Sequence, residues 1–328
     1  MDDDIEDIFE DGLLSLFEHH PVAFSTPSPS HPYIYRPSPV PFPDGMSSNT
    51  STHDDQESRS ILPNVEIPVY LPVAPSALHT TLQLTHIWLS SILMADLIFS
   101  RHIPVRDLRI CELGAGAGLP SVAALLNVGQ RRGDVAGSVV ATDYAVPEQT
   151  PQEAGQAQPE DVLGVLRGNL RNAAEMTLPC GMGKPTDHWA VVGHTWGESV
   201  DPILSSPACH SSPPERGLEQ THDDKFDLLL LADLLWSSSS HTDLLTSVQA
   251  LLKPRTGVAH VIAGLHQGRG ATERFKRGWK ETGGWIEEVA EVRWGKEGWE
   301  RFERRSSSEV DPVGDEERGV IVWFKVGR

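Results

Sequence analysis

The residues best suited to chemistry stand together at Glu112-Leu113-Gly114-Ala115-Gly116-Ala117-Gly118-Leu119-Pro120. The apolar run at 108–113 reads as a buried strand leading into them, and 119–127 reads as a helix leading out. Glycines at such a junction let backbone amides approach a ligand closely at the helix N-terminus. The spacing is Gly-x-Gly-x-Gly, with an acid two positions before the first glycine. A dinucleotide fingerprint needs Gly-x-Gly-x-x-Gly, and its third glycine would fall on Leu119. A carboxylate at the strand tip also suits a cationic amino-acid tail better than a pyrophosphate, because it attracts the one and repels the other.

Asp143 is the second element. It ends Val140-Ala141-Thr142-Asp143, where a carboxylate can accept both hydroxyls of a ribose. It lies 29 positions beyond Gly114, and the polar insert 129–137 accounts for the excess over the usual spacing of about 20. A strand-end aspartate can also cap a helix, and its place directly after the glycine loop favours the ligand role. Thr195-Trp196-Gly197 and Asp233-Leu234-Leu235-Trp236 follow two further apolar runs, 189–195 and 226–232.

These groups need a frame that brings successive strand ends to one edge. The runs 108–113, 138–142, 189–195, 226–232 and 258–264 read as strands, with helices at 119–127, 161–175, 241–252 and 272–281. Strands alternating with helices predict an α/β fold, a parallel sheet covered on both faces. The last two strands, 286–294 and 320–325, lack a clear helix between them and predict a closing antiparallel hairpin. A long helix is expected over 78–98, after short edge strands interrupted by prolines at 65–73.

Upstream, residues 1–20 form an acidic amphipathic segment, with Ile5, Ile8, Phe9, Leu13, Leu16 and Phe17 near helical spacing. It could pack on its own domain or meet a partner. Residues 21–62 are rich in proline and serine and lack periodicity, so they read as a disordered linker. The catalytic domain is expected over 63–328, with residues 1–60 dispensable for folding. Polar inserts at 146–160 and 199–224 read as surface loops.

The ordered set of motifs resembles the family-16 methyltransferases, seven-β-strand enzymes that depend on S-adenosylmethionine and act on protein lysines. Its fungal branch is described as elongation factor methyltransferase 7 or nicotinamide N-methyltransferase-like. The features that carry the resemblance are His86-Ile87-Trp88, Glu112 to Pro120, Thr142-Asp143-Tyr144, Asn169 with Asn172, Thr195-Trp196-Gly197 and Asp233 to Trp236. They fall within 78–326, with a short acidic Leu-Phe-Glu at 16–18. The resemblance implies a Rossmann-like class I sheet and S-adenosyl-L-methionine as cofactor. It implies cofactor contacts at Trp88, Glu112, Gly114, Gly116, Gly118, Asp143, Trp196 and Ala232, and catalytic roles for Asp233 and Trp236. The family motif ends in Tyr or Phe where this chain has Trp236. An aromatic wall survives, and Trp is the strongest aromatic partner for a cation, but no phenol is available. Methyltransferases acting on bases carry two prolines after the acid, and Leu234-Leu235 cannot form that rigid acceptor.

Charge and composition bound the rest. The net charge is −19, of which residues 1–62 carry −10. Such a surface repels nucleic-acid phosphates and attracts a basic protein, although excess acid also serves solubility. No apolar run is long enough to span a bilayer, and the start, Met1 followed by three aspartates, is unlike a basic signal sequence. Cys111, Cys180 and Cys209 form no Cys-x-x-Cys pair, so neither a disulfide framework nor a zinc site is expected. No carboxylate cluster suited to magnesium is visible, and no metal is expected. The sequence thus predicts a cytoplasmic monomer, with the nucleus also open to it, that methylates a basic protein and binds neither nucleic acid nor membrane. Two alternatives stay open: a small-molecule N-methyltransferase, nicotinamide-like, and a non-catalytic scaffold retaining the fold.

Overall fold

A computed structural model describes residues 31–42, 65–72, 86–127, 137–145, 162–177, 188–209, 225–236, 238–265, 268–303 and 319–328. The amphipathic segment 1–20, most of the linker and most of both polar inserts lie outside the described residues.

The central sheet has eight strands. In chain order they are β3 (Arg109–Leu113), β4 (Ser138–Asp143), β5 (Trp189–Gly193), β6 (Leu228–Ala232), β7 (Val258–Gly264), β8 (Trp285–Gly295), β9 (Gly298–Arg301) and β10 (Val320–Gly327). Their spatial order is β5-β4-β3-β6-β7-β10-β8-β9. The first five are parallel, and β10 runs antiparallel to both β7 and β8. Counting from β3, this is strand order 3-2-1-4-5-7-6 with one added edge strand, the Rossmann-like sheet of the class I methyltransferases.

Strand residues alternate between two cores, which is why the sequence runs are almost wholly apolar. On β6, Leu228, Leu230 and Ala232 face one layer while Leu229 and Leu231 face the other. The first layer holds helices α1 (Leu89–Phe99), α2 (Leu119–Asn127) and α3 (Val162–Thr177). The second holds α5 (His241–Leu251) and α6 (Arg269–Glu281), beside the short α4 (Asp201–Leu204). None of these helices is long and apolar enough to cross a membrane.

Two expectations change, and a third gains a strand. The helix expected over 78–98 begins only at Leu89, because Trp88 is extended, with φ −94° and ψ 152°, and 78–85 lie outside the described residues. The antiparallel C-terminal pair forms as expected, β10 against β8, and β9 adds an edge strand through a turn at Gly298, whose φ of 120° favours glycine. The linker reading of 21–62 meets order at its centre. Strand β1 (Tyr33–Tyr35) pairs antiparallel with β2 (Ile67–Val69), and Tyr35 and Phe42 are buried.

A single buried carboxylate explains that order. Asp96 of α1 accepts hydrogen bonds from the Tyr35 hydroxyl at 2.6 Å, the Ser38 amide at 2.8 Å and the Trp299 indole at 2.7 Å. It joins the N-terminal strap, the first helix and the added edge strand. Composition averaged over 21–62 hid this, because the order rests on a few residues bonding to Asp96 rather than on a hydrophobic pattern.

Candidate functional site

The glycine loop folds as its spacing demands. Gly114, Gly116 and Gly118 have φ of 59°, 54° and 76°, a region that costs L-residues energy and glycine little. The Ala115 amide donates to the Thr142 carbonyl at 2.9 Å, tying the loop to β4. A Cβ on Gly114 would stand 2.7 Å from Leu234 and 3.3 Å from the Trp196 ring. The loop therefore lies directly against the segments that follow β5 and β6, as the sequence reading required.

Asp143 closes the loop from the other side. Its carboxylate accepts the Gly116 amide at 2.5 Å and the Tyr144 amide at 2.6 Å. Burial raises its pKa to about 6 despite these stabilising donors.

Glu112 turns inward at the end of β3. Its carboxylate is buried and accepts the Ser121 amide of α2 at 2.8 Å. A carboxylate at the positive end of a helix caps it, so Glu112 fixes the loop-to-helix junction from inside the protein. Burial pushes its pKa up to about 8, against the pull of the Ser121 hydrogen bonds and with a push from the Asp143 charge.

At the end of β6, Ala232 is buried and pairs with Ile262 of β7. Asp233 then turns the chain with φ 60°, a conformation that aspartate tolerates better than most residues but that still strains the backbone. Its amide donates to the Ile262 carbonyl at 2.8 Å, and its carboxylate accepts the Gly264 amide at 3.1 Å. Leu234 and Leu235 plug into the second core. Trp236 follows, half-buried in the turn. Trp88 sits at the start of α1, which packs on α2, with its ring centroid 5.8 Å from that of His86.

Two further side chains brace the site in ways that only the fold reveals. Asn169 of α3 accepts the Tyr70 amide at 2.9 Å and donates to the carbonyls of Tyr70 and Ala117, each at 2.8 Å. It clips the chain after β2 to the glycine loop. The motif comparison singled out Asn169, but only the fold reveals what it holds. His241 pairs through Nε2 with the Leu235 carbonyl at 3.0 Å, and burial lowers its pKa. Among the described residues no three His, Cys, Asp or Glu side chains gather to hold a metal.

The fold and the site together define a class I methyltransferase scaffold with a glycine loop, a strand-end aspartate and an acid-led turn at one sheet edge. No family model matches the chain. Curated relatives do. The chain is 30% identical over 178 residues to the protein N-terminal and lysine N-methyltransferase EFM7 of Gibberella zeae, covering 54% of this chain and 56% of that protein. It is 31% identical to the EFM7 of Eremothecium gossypii, covering 55% of each. It is 26% identical to that of Schizosaccharomyces pombe over 212 residues, covering 64% of this chain and 66% of the relative. The chain thus spans about half the length of the first curated relatives it matches. Among solved structures, a cyclopropane-fatty-acyl-phospholipid synthase-like protein from Lactobacillus casei overlays with a TM-score of 0.41 at 12% identity, covering 79% of this chain and 96% of that one. The strand order, not that overlay, defines the fold.

Proposed function

We propose that the protein is an S-adenosylmethionine-dependent N-methyltransferase acting on protein amines, either lysine side chains or an N-terminus. The observation that carries this reading is the glycine loop, three positive-φ glycines held between Asp143 and the Trp196–Leu234 wall. The names of the similar fungal proteins support a protein acceptor.

The residues present fit the cofactor. Left-handed glycines leave the loop without side chains where a ligand must approach, and a carboxylate stands at the neighbouring strand end. Gly114, Gly116 and Gly118 would line the amino-acid and ribose portions, Asp143 would accept the ribose hydroxyls, and Trp196 and Trp88 would offer apolar faces. Glu112 contributes by fixing the loop. When bound, the cofactor supplies an electrophilic methyl group on a sulfonium.

The protein's own contribution is positioning. A lysine arrives with a pKa of about 10.4 and must present a neutral amine. Enclosure beside Ala232 and Leu234, at the edge of the glycine loop, would disfavour the ammonium form, as burial does for any charge. Asp233 would orient the amine by a hydrogen bond, and Trp236 would wall its alkyl stem and hold the entering cation. The strained Asp233 backbone fits a residue kept for function rather than for folding. This reading places the protein in the cytoplasm or nucleus, as a monomer that meets a basic protein surface.

Calorimetric titration with S-adenosylhomocysteine and with NAD tests the cofactor assignment. Saturable binding of the first alone is expected. Preference for NAD, or no binding of either, would overturn it.

A further inference from the structure

Helix α5 reaches the wall of the site through one hydroxyl. Ser247 of α5 is wholly buried. Its Oγ accepts the Gly197 amide at 2.9 Å and pairs with Nε2 of the buried His194 at 3.0 Å. His194 and Gly197 flank Thr195 and Trp196, so one oxygen holds both ends of the segment that carries the indole. We propose that Ser247 is a positioning residue that fixes Trp196 against Gly114 and so sets the affinity for the cofactor. This rests on the methyltransferase reading above.

Three neighbouring observations point the same way. The His194 amide donates to the Asp143 carbonyl at 2.8 Å, so the brace continues to the strand end assigned to the ribose. Gly197 has φ 86°, and a Cβ there would come within 2.9 Å of Asp243 on α5, so the segment lies flush on the helix. Burial lowers the pKa of His194, leaving a neutral ring able to share one proton with the serine. A serine on an α-helix most often bonds a carbonyl of its own preceding turn. Ser247 instead reaches another element, the loop that brings Trp196 against the glycine turn.

Ser247→Ala removes the oxygen and leaves the helix intact. By calorimetry it is expected to raise the dissociation constant of S-adenosylhomocysteine by roughly five- to tenfold, the scale of one buried hydrogen bond. The KM for the cofactor should rise alike, with kcat at saturating cofactor within about twofold of wild type. Ser247→Thr keeps the hydroxyl and should restore affinity. In a Trp196→Ala background Ser247→Ala should add less than about twofold, because the hydroxyl acts through the indole. Should Ser247→Ala melt too early to assay, His194→Phe breaks the same bridge while keeping ring volume, and the same loss is expected. Wild-type affinity in Ser247→Ala or His194→Phe, or losses that multiply with Trp196→Ala, would overturn the assignment. A wild-type protein that binds no S-adenosylhomocysteine would instead overturn the function proposed above.

Discussion

At the residue scale, two buried acids do different work although the sequence presents them alike. Asp143 faces the glycine loop, and Asp143→Ala is expected to weaken cofactor binding by about 1.5–3 kcal/mol, the worth of hydrogen bonds to a charged group. Calorimetry on that variant checks it, and unchanged affinity would remove Asp143 from the site. Its carboxyl titrates at about 6, so affinity should fall as pH drops below that value, and Asp143→Asn should abolish the dependence. Gly116→Val should eliminate binding, because a branched residue resists φ 54° and its side chain would crowd the loop. The sequence made the glycines and Asp143 legible, since their conformational and chemical demands are local. It did not show the inward bond of Glu112, because nothing in its own neighbourhood says that the carboxylate turns to Ser121.

At the element scale, periodicity did most of the work. Every strand of the parallel sheet and α2, α3, α5 and α6 fall within a few residues of their sequence expectation, because each buries a regular apolar pattern. The N-terminal strap was illegible for the opposite reason. Strand β1 is three residues long, and its order depends on Tyr35 meeting Asp96 and on Phe42 meeting Trp323, edge-on at 5.5 Å between ring centroids. Neither partner is predictable from local pattern. This clasp argues against residues 1–60 being dispensable for folding. A chain starting at residue 60 leaves Asp96 buried with fewer donors and uncovers core, and should melt about 10 °C or more below the full chain. A melting point within a few degrees would mean that the strap is ornamental. Tyr35→Phe, which removes one hydrogen bond, should cost about 1–2 kcal/mol in denaturant unfolding.

At the scale of the whole molecule, buried charge sets how stability responds to pH. Glu112 titrates near 8 when folded and near 4.3 when unfolded, so the folded state holds the extra proton and stability falls as pH rises through that window. Asp96 and Asp143, raised to about 6, act in the same direction below pH 6, while His260, lowered to about 3 by burial and by Lys325, opposes them there. Between pH 6.5 and 8 Glu112 acts alone among these groups. Stability should decline by about 1–2 kcal/mol over that interval, and Glu112→Gln should flatten the decline. Half of the net charge of −19 sits in residues 1–62, which suits recruitment of a basic protein. Deleting residues 1–20 should then raise the KM for the protein acceptor without changing cofactor affinity, and added salt should mimic the deletion. The most direct test of the central claim is to incubate the purified protein with methyl-labelled S-adenosylmethionine and a cell lysate, and to locate the label by mass spectrometry. Label on a lysine or N-terminal amine of a protein, lost in Asp233→Ala, is the predicted result; label confined to small molecules, or none above a no-enzyme control, would contradict it.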